Sequence, residues 1–200
     1  MSNATPYRFV LLALVPVLAL ACEGPELDNA TREQVVAVGD SAAMSLVRTL
    51  GGRLNTHMAE GGPAGAIAFC STEAQALTDS VSGALDEGWA VKRTTLRTRN
   101  PKNAPDSLEA VALTYFQEAA RSDAGLPEHF VQVTPDGDYR YYMPLQLGRM
   151  CIECHGPRES LDPAVREVLD TRYPADQATG YAEGDFRGVV RVTVPRDAVR

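Results

Sequence analysis

Past residue 30 the apolar positions fall into two different rhythms. Val35, Val38, Ala42, Leu46, Leu50 and Leu54 advance by three or four, the spacing of one helix face. Gly51-Gly52 predicts an end or a bend in that helix. After GGPAG, Ile67, Cys70, Ala74, Leu77, Val81 and Leu85 resume the same spacing. A second helix is therefore expected there, with Cys70 on its buried stripe. Beyond Gly88 the rhythm changes. WAVKRTTL (89–96) has the composition of a strand, and RTRNPKNAP (97–105), with two prolines, that of a loop. Asp106 and Glu109 have capping-box spacing and open the helix DSLEAVALTYFQEAA (106–120). HFVQV (129–133) and YRYYM (139–143) flank TPDGD and predict a hairpin turning at Asp136-Gly137. Pro144 should end its second strand or keep it at an edge. Asp162-Pro163 can start a short helix, and FRGVVRVTV (186–194) reads as a last strand. The simplest assembly is an α+β domain, with helices on one side of a small antiparallel sheet.

The N-terminus carries a different kind of signal. MSNATPYRF holds one basic residue, Arg8, and no acid, and FVLLALVPVLALA (9–21) follows as thirteen uncharged residues. That is too short to span a bilayer, which takes about 20 apolar residues, and it has the layout of a secretory signal. Residues 1–21 read as that signal, with Ala19-Leu20-Ala21 before the cut. Cys22 directly after it resembles the lipid-acceptor cysteine of bacterial lipoproteins; the alternative is soluble export with an odd thiol. Residues 22–30 form a polar tether and 31–200 a single domain. The expected location is the periplasm, with a lipid anchor as the only membrane contact.

Charge narrows the function. The full chain has 19 basic and 26 acidic residues, and removing residues 1–21 takes the net charge from −7 to −8. That balance argues against nucleic acid as a partner. Nucleophile elbows, phosphate loops and justified carboxylate pairs are all missing from the sequence, so hydrolysis is not expected.

The densest chemistry is MCIECHGP (150–157). In C-x-x-C-H two thiols on one helical turn can each form a thioether with a vinyl group of haem. The next residue, His155, then lies where its imidazole can bind the iron. Three other readings compete. A thioredoxin-type pair would open a helix within a βαβ unit, and no such unit is visible. A zinc knuckle would need a second ligand pair, whereas His57 and His129 are far apart in sequence. A Cys151–Cys154 disulfide would leave His155 without a role. With an export signal present, a single covalent haem c at Cys151 and Cys154 is the preferred reading.

Other residues are open to two readings each. Arg93, Arg97 and Arg99 beside Asn100, Pro101 and Asn103 form either a cradle for haem propionates or a solvated strand end. Cys70 is either a small buried hydrophobe or an iron ligand. Tyr141, Tyr142 and Met143 could line a pocket. Core packing is the expected role of Met143, Met58 and Met150, as of Trp89, while His57 and His129 read as surface or structural residues.

Several stretches together resemble a known family. AIAFCSTEAQALT (66–78), KRTTLRTRNPKNAP (92–105), YMPLQLGRMCIECHG (142–156) and YPADQATGYAEGDFRGVVRVTVP (173–195) are similar, in order, to exported c-type haem domains with a PAS-like fold, found in cyanobacteria and proteobacteria. The resemblance implies a PAS-like antiparallel sheet with N-terminal helices packed on it and one haem c. It also implies a second axial ligand from the FCS stretch, here Cys70, and at least one Arg–propionate contact. Members are assigned electron-transfer or redox-sensing roles, so a periplasmic mono-haem cytochrome is expected, an electron carrier or redox-responsive protein rather than an enzyme. Its partner would be a redox protein or, in the alternative of a redox or gas sensor, a signalling protein. No kinase, cyclase or coiled-coil output region occurs up to Arg200, which leaves sensing dependent on such a partner.

Overall fold

The computed structural model describes residues 27–199; the expected signal peptide and Cys22 lie outside the described residues. Helix α1 (Asn29–Thr72) starts where Asp28 caps it, its carboxylate accepting the Thr31 N–H at 2.9 Å. The helix continues through Gly51-Gly52, where an end or a bend was expected. It breaks at Gly62, within the GGPAG stretch after which the second helix was expected; the φ of 59° and ψ of −158° there are non-helical, and the helix restarts on Pro63. The reason is physical. A glycine inside a helix costs only about 1 kcal/mol against alanine, whereas a proline removes an amide donor and collides with the preceding turn. The expected second helix is divided, with Ile67 and Cys70 near the end of α1, Ala74, Leu77 and Val81 in α2 (Ala74–Gly83), and Leu85 just beyond it.

The strands are β1 (Ala90–Thr94), β2 (Phe130–Val133), β3 (Tyr139–Gln146) and β4 (Phe186–Val194). They form one antiparallel sheet in the order β1-β4-β3-β2. The β2–β3 hairpin turns where expected, with Gly137 at φ 89° and its N–H donating to the Thr134 carbonyl at 2.9 Å. Pro144 does not end β3, which continues to Gln146. Because β2 pairs only as far as Tyr142, β3 has β4 alone as its neighbour at Pro144, and the open side tolerates a residue without an N–H.

Helices cover both faces of the sheet, not one. Tyr141, Val190, Val192 and Val194 face Val35, Ala43 and Leu46 of α1 in one buried cluster. Tyr142 and Val189, on the opposite face, pack against Ala112, Leu113 and Phe116 of α3 (Ser107–Ala119). Alternation along a strand sends neighbours to opposite faces, and both faces of this sheet carry large apolar residues, so each needs a cover. The capping box of α3 forms as expected, with Asp106 accepting from Glu109 N–H and Glu109 from Asp106 N–H. Two short helices complete the chain: α4 (Ile152–His155) and α5 (Pro163–Arg172), the latter capped by Asp162. Trp89 and Met143 border the α1-side core as expected, but Met150 is 38% exposed and packs no core. It lies in the turn Arg149–Cys151 leading into α4, where the chain leaves the sheet.

Candidate functional site

C-x-x-C-H occupies a tight piece of chain. A 3-10 turn over Arg149–Cys151 runs into α4, and Gly156 closes that helix by donating its N–H to the Ile152 carbonyl at 2.8 Å. Gly156 must be small, because a Cβ there would stand 2.7 Å from Ile152. Cys151 and Cys154 are therefore one helical turn apart, and both are free thiols. They point into different apolar surroundings, Cys151 beside Leu147, Ala178 and Tyr181, and Cys154 beside Ile67 and Leu169. A single short helical turn beside an antiparallel sheet has none of the βαβ setting of a thioredoxin pair. Among the described residues no three His, Cys, Asp or Glu side chains cluster as a metal-ion site.

His155 is oriented from behind. The segment 178–181 pairs with the motif, Gly180 N–H reaching Gly156 O at 2.8 Å and Tyr181 N–H reaching His155 O at 3.0 Å. His155 Nδ1 lies 2.6 Å from the Ala178 carbonyl and donates to it. Burial, reinforced by Arg99 and Arg187, holds the imidazole pKa well below its usual value, although the Ala178 bond works the other way. The ring is thus neutral near pH 7, with its proton on Nδ1 and the Nε2 lone pair free. Tyr181 stands edge-on to the ring, centroids 6.3 Å apart.

On the far side of the site, Cys70 ends α1 within the cluster that holds Cys154. The Tyr173 hydroxyl donates to the Cys70 carbonyl at 3.2 Å, tying α1 to the chain after α5. Burial pushes the Cys70 thiol pKa up, while Arg93 and Arg99 draw it down. The Cys154 thiol is pushed up to about 11, again chiefly by burial. A cavity of about 160 Å³ adjoins His155, its wall formed by Arg93, Thr94, Leu145, Arg187 and Val189 among others. Arg93 therefore belongs to both sides of the site, electrostatically close to Cys70 and lining the cavity with His155.

The three arginines of the 92–105 stretch do different things. Arg97 donates Nε to Gln177 O at 2.9 Å and Nη2 to Thr179 O, and its guanidinium lies 4.1 Å from the Tyr181 ring centre. Arg99 is buried against Asp176. Arg93 makes one bond, Nη2 to Ala74 O at 3.2 Å, and its buried Nε has no partner. Tyr141 and Tyr142 are core residues instead of pocket walls, their hydroxyls reaching Asp40 and Gln132. His57 stacks on Phe69 and His129 on Tyr141. Sequence reasoning passed over Arg187, Asp176, Tyr173 and Tyr181. All four stand in the quoted 173–195 stretch, but nothing in their spacing says that they face C-x-x-C-H. Among the described residues no helix is long and apolar enough to cross a membrane.

A family model described as Tll0287-like (Tll0287) matches residues 26–195. No curated protein matches the chain. Among solved structures, the crystal structure of the cyanobacterial heme-protein Tll0287 is similar in fold. The two are 23% identical, with a TM-score of 0.58, over 82% of this chain and 96% of that one.

Proposed function

We propose that this chain, which belongs to the Tll0287-like family, is a periplasmic mono-haem c-type cytochrome that exchanges single electrons. One haem c would be held through thioethers at Cys151 and Cys154, with His155 Nε2 and the Cys70 thiolate as iron ligands. When bound, the haem supplies a one-electron Fe(III)/Fe(II) couple. The observation that carries the reading is His155: its Nδ1–H is locked on Ala178 O at 2.6 Å. That lock leaves Nε2 free beside two unpaired thiols.

The remaining residues fit such a group. Arg93 keeps a buried, unpartnered Nε at the cavity, an unmet donor of the kind a propionate carboxylate satisfies. At about 160 Å³ the cavity is below the ~300–1,000 Å³ of ordinary small-molecule sites. Arg93, held by its single bond to Ala74 O, is the wall most easily moved. The buried Cys70 thiol resists ionisation by itself, and Arg93, Arg99 and ferric iron all favour the thiolate. Thiolate ligation stabilises the ferric state, so the potential should lie below that of a His/Met cytochrome. Export with lipid attachment at Cys22 completes the reading.

The test is to express the chain with its export signal, denature it, and treat it with acidified organic solvent. Haem should stay with the polypeptide; haem that extracts would overturn covalent attachment. Cys70→Ala should convert the ferric spectrum from low-spin thiolate type and raise the potential. A spectrum and potential left as they were would remove Cys70 from the ligand set. Retention of Cys22→Ser in the same membrane fraction as the parent would remove the lipid anchor.

A second reading, a redox sensor acting through a signalling partner, is favoured by one feature. The Gly62-Pro63 break separates the turn carrying Cys70 from the long half of α1, so a change at Cys70 has a hinge to work on. A reduced protein that binds a co-purified signalling protein more or less tightly than the oxidised one would favour this reading over the carrier.

A further inference from the structure

Behind His155 lies an ion pair that neither the core nor the thiols require. Arg99, 9% exposed, sets Nε and Nη2 against the two oxygens of Asp176, each at 3.2 Å. The same Nη2 donates to Cys154 O at 2.6 Å and to Ala178 O at 3.2 Å. Asp176 Oδ1 in turn accepts the Ala178 N–H at 2.9 Å. Ala178 is thus gripped at both its N–H and its C=O, and its carbonyl is the one that receives His155 Nδ1–H.

We propose that Arg99 and Asp176 are a positioning pair that sets how strongly the Ala178 carbonyl polarises His155, and hence the Fe(III)/Fe(II) balance of the bound haem. This rests on the haem c reading above. The argument is one of shared lone pairs. A carbonyl that already accepts from a guanidinium is a weaker acceptor for Nδ1–H, so the imidazole gains less imidazolate character and donates less to the iron. A weaker donor favours the ferrous state. Asp176 opposes this by partly neutralising Arg99 and by holding it in place. Stability alone gives the pair little reason to exist, since buried ion pairs can often be replaced by apolar groups at no loss. The two carbonyls that Arg99 touches belong to Cys154 and to the residue that orients His155, so the pair holds a thioether position and a ligand in one register.

Three variants test this in the haem-loaded protein: Arg99→Leu, Asp176→Asn and the double variant. With Arg99→Leu the carbonyl returns wholly to His155 and the Asp176 charge is unbalanced. The ferric-to-ferrous ratio at fixed potential should rise at least tenfold, which for one electron is 59 mV lower. Asp176→Asn leaves the guanidinium unbalanced and should shift the ratio tenfold the other way. The double variant has no unpaired buried charge and should shift toward ferric by less than Arg99→Leu. The ferric shift of the double variant is the signature, because the lost charges alone would move the two single variants in opposite directions, whereas the double variant loses one charge of each sign and moves only if the Ala178 carbonyl acts. Single-variant shifts of the same sign, or a double variant within twofold of the parent, overturn the proposal while covalent haem is retained. If a single variant fails to fold, the double variant decides: a ferric shift supports the pairing and an unmoved potential overturns it. A parent protein without covalent haem overturns the underlying reading instead, and the proposal with it.

Discussion

The two faces of the sheet treat their charges in opposite ways. Under α3, Glu109 is completely buried, yet both carboxylate oxygens are used. Oε2 meets Lys92 at 2.7 Å and the Asp106 N–H at 3.0 Å, and Oε1 meets Arg191 Nε at 3.1 Å. Asp106 is in turn paired with Arg140. On the α1 face Arg93 is buried with its Nε unmatched beside the cavity that His155 lines, and the Cys70 thiol has no disulfide partner. A closed network rigidifies and holds a fold together. Unmatched groups beside a cavity mark where the fold has left a requirement for something else to meet. Both faces carry buried charge; only one has anything left to give.

Substitutions can break that contrast, beginning with the largest effect. Glu109→Ala should destabilise the protein by about 3–5 kcal/mol by stranding two cations, read as a lower urea midpoint. Whatever fraction folds should attach haem as the parent does. A loss near zero would mean that the α3 face is no more self-sufficient than the other. Gly39 comes next. A Cβ there would stand 2.4 Å from the Tyr141 ring, so Gly39→Val should cost about 1–3 kcal/mol by forcing α1 off the sheet. Full parental stability would show that the helix can slide freely.

Tyr142→Phe removes a bond of 2.8 Å to Gln132 and should cost about 0.5–1.5 kcal/mol at pH 7. It also tests the alkaline limb. Burial pushes the Tyr142 pKa up to about 12, so the folded state holds a proton that the unfolded chain releases near pH 10. Stability must then fall as pH rises from about 10 to 12, since the unfolded state binds fewer protons there. Urea midpoints across that window should decline less steeply in Tyr142→Phe. An identical decline would assign the alkaline loss to other groups. The smallest effect on folding is expected at Arg93. Arg93→Met gives up one bond of 3.2 Å to Ala74 O but also relieves a buried donor with no partner, so the haem-free protein should stay within about 0.5 kcal/mol of the parent. The fraction loaded with haem should nevertheless drop. Loss of stability without loss of loading would reverse the roles assigned to the two faces.

Local signals were readable wherever the cause was local. The capping box needed only Asp106 and Glu109 three positions apart, and both of its bonds form. The hairpin turn, β4 and the adjacency of Cys151, Cys154 and His155 followed from patterns within a few residues. What was missed depends on distant chain. Glu109 read as a cap and is also the counter-ion of Lys92 and Arg191, residues 17 and 82 positions away. The helix break at Gly62 was legible too, since it falls inside the GGPAG stretch after which a second helix was expected, whereas Gly51-Gly52, without a proline, leaves α1 uninterrupted.

Arg99 shows the limit most clearly. With Arg93 and Arg97 it read as one cluster of equivalent cations, since charge and spacing are all that a sequence displays. Folding brings Asp176, 77 positions away, against it, and the chain takes up its donors. Arg93, only six residues earlier, is left with one unmatched. The sequence by itself determined the reactive set of two thiols and an imidazole on one turn, because covalent spacing and helical geometry act over a few residues. Only the tertiary structure decided which arginine keeps an unmatched donor, which carbonyl orients His155, and that Cys70 shares its apolar cluster with Cys154. Those contacts join segments far apart in the chain, and they exist only once the sheet and its two covers have closed.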